Sequence, residues 1–526
     1  MDVMNKLTLP VVLPFLLALS APALAQLKGG GWSGPEELGR VLVVGDFNGD
    51  GYMDQAMGIE ESMTPFAGTS YSFTKSGAVT VTYGSTNGLG KWLNQYWHQD
   101  SPGVPGVIEP TDRFGASLAA GDFNGDGFHD LAIGVPGEDI GKATDTGMVV
   151  VLYGSVLGLR GTGSQAFHQD TPGIAGINES YDQFGFSLAA GDFNNDGRDE
   201  LAIGSPCEDI GSTVNAGMIH VLSGSSSGLR GSGSKSFHQN SSGVPGYCET
   251  YDMFGWALAT GELNGDGYDD LVITACTESL GVTVAAGMAH MFKGSSGGLK
   301  STQRTLSQTY RFVPMGDTDA EQGDHFGTSV ACGDLDGDGI DDVVIGSVGE
   351  DIQLTGFVSD YLDAGVIDIF MMKPSSTFAP QTSFQLGQFR SWIPGASEHF
   401  DYFGGSLCIA DLDGDGAEDL IVGTRAEDIG SVSNAGMTHV FFGGSTIIGD
   451  VRSLHQNTPG VPDSSESKDE FSEGLCAGDF NGDGRAELAV GVPGERANGV
   501  LRAGAVQTFR ISSNRKIAWS QTLTVD

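Results

Sequence analysis

Seven short acidic segments carry the densest chemistry in this chain. They are Asp46, Asn48, Asp50, Tyr52, Asp54; Asp122, Asn124, Asp126, Phe128, Asp130; Asp192, Asn194, Asp196, Arg198, Glu200; and Glu262, Asn264, Asp266, Tyr268, Asp270. The remaining three are Asp334, Asp336, Asp338, Ile340, Asp342; Asp411, Asp413, Asp415, Ala417, Asp419; and Asp479, Asn481, Asp483, Arg485, Glu487. Each places side-chain oxygens at loop positions 1, 3, 5 and 9 and Gly at 6. Position 7 can lend its backbone carbonyl. Hard oxygen donors on a flexible loop suit Ca²⁺, whereas Mg²⁺ prefers a tighter octahedron with several waters. Positions 1, 3, 5 and 9 hold 23 carboxylates, and three or four anions within a few Å repel unless a cation is present. Up to seven Ca²⁺ are expected. They would add 14 charges to a net −41, leaving −27.

The start of each segment is also that of a helix–loop–helix calcium site, which requires a bidentate Glu at position 12. Met57, Ile133, Ile203, Ile273, Ile345, Val422 and Val490 stand there instead and continue into apolar runs. Strands, not helices, must hold these loops.

The loops start 76, 70, 70, 72, 77 and 68 residues apart. Within the second copy, Phe114–Ala120, Leu131–Val135, Met148–Tyr153 and Ser164–His168 read as four strands, being short apolar runs bounded by Gly, Pro and Asp. Gly77, Gly147, Gly217, Gly287, Gly365, Gly436 and Gly504 precede the third strand of each copy. A four-stranded antiparallel sheet cannot bury both faces alone, but radial stacking of seven does so and leaves short edges. The expected fold is all-β, a seven-bladed β-propeller with each blade a four-stranded antiparallel sheet. Its blades are placed at about 36–105, 106–176, 177–246, 247–316, 317–395, 396–462 and 463–526. Gln26–Gly34 has little strand character and Lys516–Val525 reads as a strand, so the last blade is expected to take its outer strand from the C-terminal segment.

Residues 1–25 read as a secretory signal: Lys6, an apolar stretch from Leu7 to Leu19, and Ala23-Leu24-Ala25 before a cleavage site after Ala25. Residues 26–35 form a short N-terminal segment. No later run approaches a membrane span, so a secreted, extracellular protein with no membrane anchor in the chain is expected, as a monomer. The balance of 26 Lys+Arg against 67 Asp+Glu repels phosphate backbones and excludes nucleic acid as a partner. Six Cys are too sparse to be the main support. Cys332, Cys408 and Cys476 stand just before acidic loops and read as buried thiols. Cys248 is expected to bridge Cys207 or Cys276.

At these residues the chain resembles the FG-GAP repeat family, the propeller type of integrin α-subunits. The marks are Phe114-Gly115, Phe184-Gly185, Phe254-Gly255, Phe326-Gly327 and Phe403-Gly404 before the loop, with Gly134-Val135-Pro136 or Gly491-Val492-Pro493 after it. The resemblance implies calcium between first and second strands, on the face opposite the ligand-binding one. The first copy departs with Leu38-Gly39 and the seventh with Phe471-Ser472.

Seven of the ten His fall in register, His98, His168, His238 and His455 in fourth strands and His220, His290 and His439 in third strands, and read as scaffold. Gly224-Ser-Ser226-Ser-Gly228 matches a nucleophile elbow in form, but it occupies a hairpin with no following helix. Glu138, Glu208, Glu278, Glu350, Glu427 and Glu495 each stand 16 residues after their loop's start. They read either as turn residues accepting N–H bonds or as an acidic ring around one mouth. The expected function is a calcium-binding extracellular or cell-surface adhesion module for a protein or glycan ligand. The alternative is an extracellular hydrolase or lyase with a nonrepeating site at the mouth. Connections that break the repeat nominate Phe66, Tyr71, Phe357, Tyr361, Trp392 and His399 as ligand contacts, since exposed aromatics anchor proteins and sugars.

Overall fold

The second strand of every blade is buried along its whole length and, after its opening acid, mostly apolar, as Asp130–Val135 in the second blade shows. A strand covered on both faces must lie between stacked sheets, and the computed structural model has that arrangement. It describes residues 38–59, 75–90, 95–309, 320–352, 361–375, 377–445, 450–496 and 502–524, all within one compact unit, Gly34–Val525. Seven four-stranded sheets, each an antiparallel meander in chain order, form a seven-bladed β-propeller. In the second blade the strands are Ser117–Gly121, Asp130–Val135, Met148–Tyr153 and Arg160–Phe167. The fourth strands end one residue before His98, His168, His238 and His455, which therefore begin the connections to the next blade. Among the described residues no helix is long and apolar enough to cross a membrane. The proposed signal lies outside the described residues, as do Phe66, Tyr71 and Phe357.

The Phe-Gly pairs join blades. Each Phe is fully buried, from Phe114 to Phe471, and a side chain of that size contributes about 2–3 kcal/mol when taken from water. Phe114 and Phe184 lie against Gly77 and Gly147, the glycines before the third strand of the preceding blade, where a Cβ would come within 2.4 Å of the Phe backbone. In four of the five Phe-Gly pairs the Gly abuts a second-strand glycine of the preceding blade, and a Cβ on Gly134 would stand 2.1 Å from the Gly185 carbonyl; Gly327 instead packs against Thr274. Backbone meets backbone at these four Gly–Gly contacts, so only Gly fits there.

The ring closes by the same device. Leu38 forms a bridge with Gly504, and a Cβ on Gly491 would stand 1.8 Å from the Gly39 carbonyl. Ser472 takes the place of Gly in the seventh copy at a positive φ of 86°, and its hydroxyl donates to the Met437 carbonyl at 2.9 Å. The outer strand of the seventh blade, Ile517–Thr524, pairs with Ala505–Ile511, and all four strands of that sheet come from the C-terminal part of the chain.

All six cysteines are free, contrary to the expected bridge. The Cys248 thiol faces His238 Nδ1 at 3.6 Å, and Cys276 is buried at the end of its strand. Cys476 is buried and accepts from Gln55 Nε2 at 3.2 Å.

Candidate metal sites

Each acidic loop is the tight connection between first and second strands, and its first carboxylate organises it. Asp46 accepts the backbone N–H groups of Gly49 (2.7 Å), Asp50 (3.1 Å) and Gly51 (2.9 Å). The same three-donor pattern recurs at Asp122, Asp334 and Asp479. Position 5 accepts the N–H of position 7, as Asp50 does from Tyr52 at 3.0 Å. The position-9 carboxylate is buried and ties two hairpins together: Asp54 accepts from Phe47 N–H and Gly84 N–H, both at 2.9 Å. Asp130, Asp270, Asp342 and Asp419 repeat that pairing.

Burial raises the position-9 carboxyls, Asp54 to about 7 and Asp130 to about 8; their backbone hydrogen bonds lower them partway, and the other loop carboxylates push them higher. A buried acid in that range at neutral pH needs a proton or a cation. The oxygen geometry fits a cation. In the fifth loop Asp334, Asp336 and Asp338 offer oxygens within 4.8 Å of one another, and in the sixth Asp411, Asp413 and Asp419 do. That spread suits ligands at the Ca²⁺–oxygen distance of about 2.4 Å around one ion.

Four loops also meet a side-chain cation. Arg198 pairs with Asp196 at 3.1 Å, Arg485 with Asp483 at 3.3 Å, and Lys293 with Asp266. In the sixth loop Arg515, from the outer hairpin of the last blade, reaches Asp413 at 2.7 Å and Asp415 at 3.1 Å. It also pairs with Asp450 at 3.1 Å and stacks 4.8 Å from the Phe442 ring.

The loops are joined to one another through residues that the ligand spacing passes over. The N–H of position 8 in one loop donates to the position-1 carbonyl of the loop before it: His129 to Asp46 at 3.0 Å, Glu418 to Asp334 at 2.8 Å and, closing the ring, Met53 to Asp479 at 3.0 Å. At five junctions the position-8 side chain accepts the position-1 N–H in return. The acceptors are His129, Asp199, Asp269, Asp341 and Glu418, at 2.8–3.2 Å. Position-7 side chains lie over the preceding loop, Phe128 against Gly49, Arg198 against Gly125 and Tyr52 against Gly482. The recurrence of His, Asp or Glu at position 8 was a readable signal for these bridges.

The six in-register glutamates are buried, so they do not form an exposed acidic ring. Each accepts from a glutamine in the connection that enters its blade: Gln99 to Glu138, Gln169 to Glu208, Gln239 to Glu278, Gln308 to Glu350, Gln388 to Glu427 and Gln456 to Glu495. A second buried carboxyl lies in each junction, such as Asp112, which accepts from Glu109 N–H at 2.6 Å. Burial raises Asp112 to about 8, with the nearby Glu138 charge adding to it; burial raises Glu138 to about 7 against the Gln99 hydrogen bond. The folded chain thus keeps protons that unfolded carboxyls release near pH 4. This stability is fully present below about pH 4 and is lost as pH rises through 7–8, by about 1.4 kcal/mol per pH unit for each excess proton. In saturating calcium the melting temperature should fall between pH 5 and pH 8, and Asp112→Asn should make that slope shallower. A slope identical in the variant would remove this junction from the account.

Tyr361 and His399 come together, with ring centroids 5.8 Å apart, and His399 Nδ1 accepts from Leu362 N–H at 3.0 Å. Phe400 and Tyr402 extend the row. Trp392 is not beside them: it packs edge-on against Phe441 in the core. His220, His290 and His439 are buried against Phe184, Phe254 and Phe403, and burial lowers all three to about 3. The serines of Gly224–Gly228 close a hairpin, as expected.

The pattern described as FG-GAP repeat matches residues 114–152, 184–222, 254–287, 326–366, 403–441 and 471–509. Phosphatidylinositol-glycan-specific phospholipase D of Rattus norvegicus is 33% identical over 180 residues, 34% of this chain and 20% of that protein. Its Bos taurus counterpart is 25% identical over 429 residues, 79% of this chain and 47% of that protein. Integrin alpha-5 of Xenopus laevis is 30% identical over 248 residues, 46% of this chain and 20% of that protein. The chain thus spans from a fifth to about half of the length of these relatives. The six matched segments begin at Phe114, Phe184, Phe254, Phe326, Phe403 and Phe471, the residues that fasten one blade to the next, and the chain carries six FG-GAP repeats in an integrin-like β-propeller.

Proposed function

We propose that this chain is a secreted, calcium-loaded binding module that presents a protein or glycan ligand surface on a rigid propeller. The observation that carries the proposal is the ring of seven acidic loops, each joined to its neighbour by a backbone hydrogen bond. Positions 1, 3, 5 and 9 of each loop would hold the ion with side-chain oxygens and position 7 with its carbonyl. Bound calcium neutralises clustered carboxylates and fixes the loop without any chemical step. Export fits the apolar N-terminal stretch ending at Ala23-Leu24-Ala25. An extracellular compartment also supplies the calcium concentration that such sites need.

Tyr361, His399 and the half-exposed Phe400 offer an aromatic surface on the face away from the calcium loops. Calcium-loaded protein, immobilised and offered a panel of extracellular-matrix proteins and glycans, should retain a ligand and release it in excess chelator. Turnover of a polysaccharide or ester substrate, with no retention, would favour the hydrolase or lyase reading instead.

A further inference from the structure

Where blades one and two meet on the calcium side, the Tyr83 hydroxyl fills the seam. It accepts from Leu159 N–H at 3.0 Å and donates to Gln95 Oε1 at 2.7 Å. Tyr153 fills the seam between blades two and three in the same way, accepting from Leu229 N–H at 3.0 Å and donating to Gln165. Both phenols fit because the facing residue is Gly: a Cβ on Gly158 or Gly228 would stand 1.9 Å from the Tyr oxygen.

Between blades three and four the same register holds Ser223 in place of Tyr and Lys235 in place of Gln, while the facing Gly298 is kept. The seam is therefore open. A cleft of about 240 Å³ lies there, lined by Ser223, Lys235 and exposed Arg230, by Asp196 and Glu200 of the third acidic loop, and by Leu299 of the fourth blade. It adjoins a groove of about 440 Å³ running between the outer strands of the two blades, past Phe237, Ser242, Lys300 and Ser301. The Lys235 ammonium stands 3.2 Å from where a Gly298 Cβ would be, taking the place of the phenol oxygen, and donates to the Gly297 and Leu299 carbonyls, which leaves one of its three N–H groups for a ligand.

Arg230, Lys235 and Lys300 thus line one continuous groove in a chain with only 26 Lys+Arg against 67 Asp+Glu. Asp196 in this cleft is already paired with Arg198, and bound calcium would take the charge of Glu200 as a ligand in the third loop. Arg160 holds the Arg230 register beside Tyr153, where the seam is closed, so the change peculiar to this seam is the pair Ser223 and Lys235.

We propose that this cleft binds an acidic saccharide, its carboxylate or sulfate taken by Lys235 and Arg230 and its ring lying along the groove toward Lys300. An aromatic face at Phe237, the Ser242 and Ser301 hydroxyls and three cations suit a polyhydroxylated anion better than a neutral sugar or an apolar peptide. The proposal rests on the binding-module reading, with the site on the calcium side in addition to the opposite face.

The test uses the full-length, calcium-loaded protein with three probes: an oligogalacturonate for carboxylate, a heparin-derived oligosaccharide for sulfate and maltohexaose as the neutral control. Titration calorimetry should show binding of at least one acidic probe and none of maltohexaose. Ser223→Tyr with Lys235→Gln rebuilds the Tyr153–Gln165 plug and should weaken that binding at least tenfold while leaving the melting curve near that of the parent. Arg230→Gln alone should weaken it severalfold. Failure of the parent to bind either acidic probe, or equal binding by the plugged variant, overturns the cleft assignment. A parent protein that retains a matrix ligand yet binds neither acidic probe would leave the module reading standing without this site.

Discussion

Excess chelator should lower the melting temperature of this protein by roughly 10–20 °C, and Ca²⁺ should restore it better than Mg²⁺. Ten-fold saturation of one site contributes about 1.4 kcal/mol, so seven sites approach ~10 kcal/mol, comparable to the stability of a whole domain. The structural basis is the burial of each position-9 carboxyl beside the other loop oxygens, as at Asp342, raised by burial to about 8. Without a cation these groups take protons or leave charge in an apolar seam; with one they become ligands. Asp126→Ala should release one ion of the full complement and cost about 1–2 kcal/mol, because the other six loops are intact. Calorimetry with and without chelator, paired with metal analysis, measures both effects. A melting curve unchanged in chelator would end the calcium proposal.

Removing Lys516–Asp526 should prevent stable folding or lower the melting temperature by more than 20 °C, a larger loss than any single loop substitution. Strand Ile517–Thr524 pairs along the whole of Ala505–Ile511, and Leu523 is buried against the first blade's core. Its loss exposes a long apolar edge at the blade where the ring must close, and an open edge also invites aggregation. Deleting Gln26–Gly30 leaves Leu38 and Gly39 in place and should change melting by only a few degrees. Soluble yield and thermal melts of the two deletions give the ranking. The reverse order would show that closure depends on the N-terminal segment.

The acidic loops and the blade count were legible because both are local. A carboxylate at position 1 caps N–H groups three to five residues away, and strands bounded by Gly and Asp announce themselves within one repeat. The seventh blade's outer strand was legible for the same reason: Lys516–Val525 has strand character and its partner Ala505–Ile511 is its neighbour in the chain.

What the sequence could not decide lies between blades. The role of Phe114-Gly115 as a seam with Gly77 and Gly58, the Gln99–Glu138 bond across 39 residues and the His129–Asp46 bridge across 83 all need neighbouring sheets at a fixed distance. Repetition showed that these residues recur but not what they face, since a buried Glu and an exposed one have the same spacing. Trp392 shows the limit for aromatics: its connection breaks the repeat as His399 does, yet one packs on Phe441 and the other reaches Tyr361. The open seam at Ser223 was hidden for a related reason. A small residue in a strand is unremarkable until two neighbouring sheets show that Tyr83 and Tyr153 fill the same space elsewhere. Local hydrogen bonding and strand periodicity are written along the chain, whereas packing between blades depends on pairs brought together only when the ring is closed.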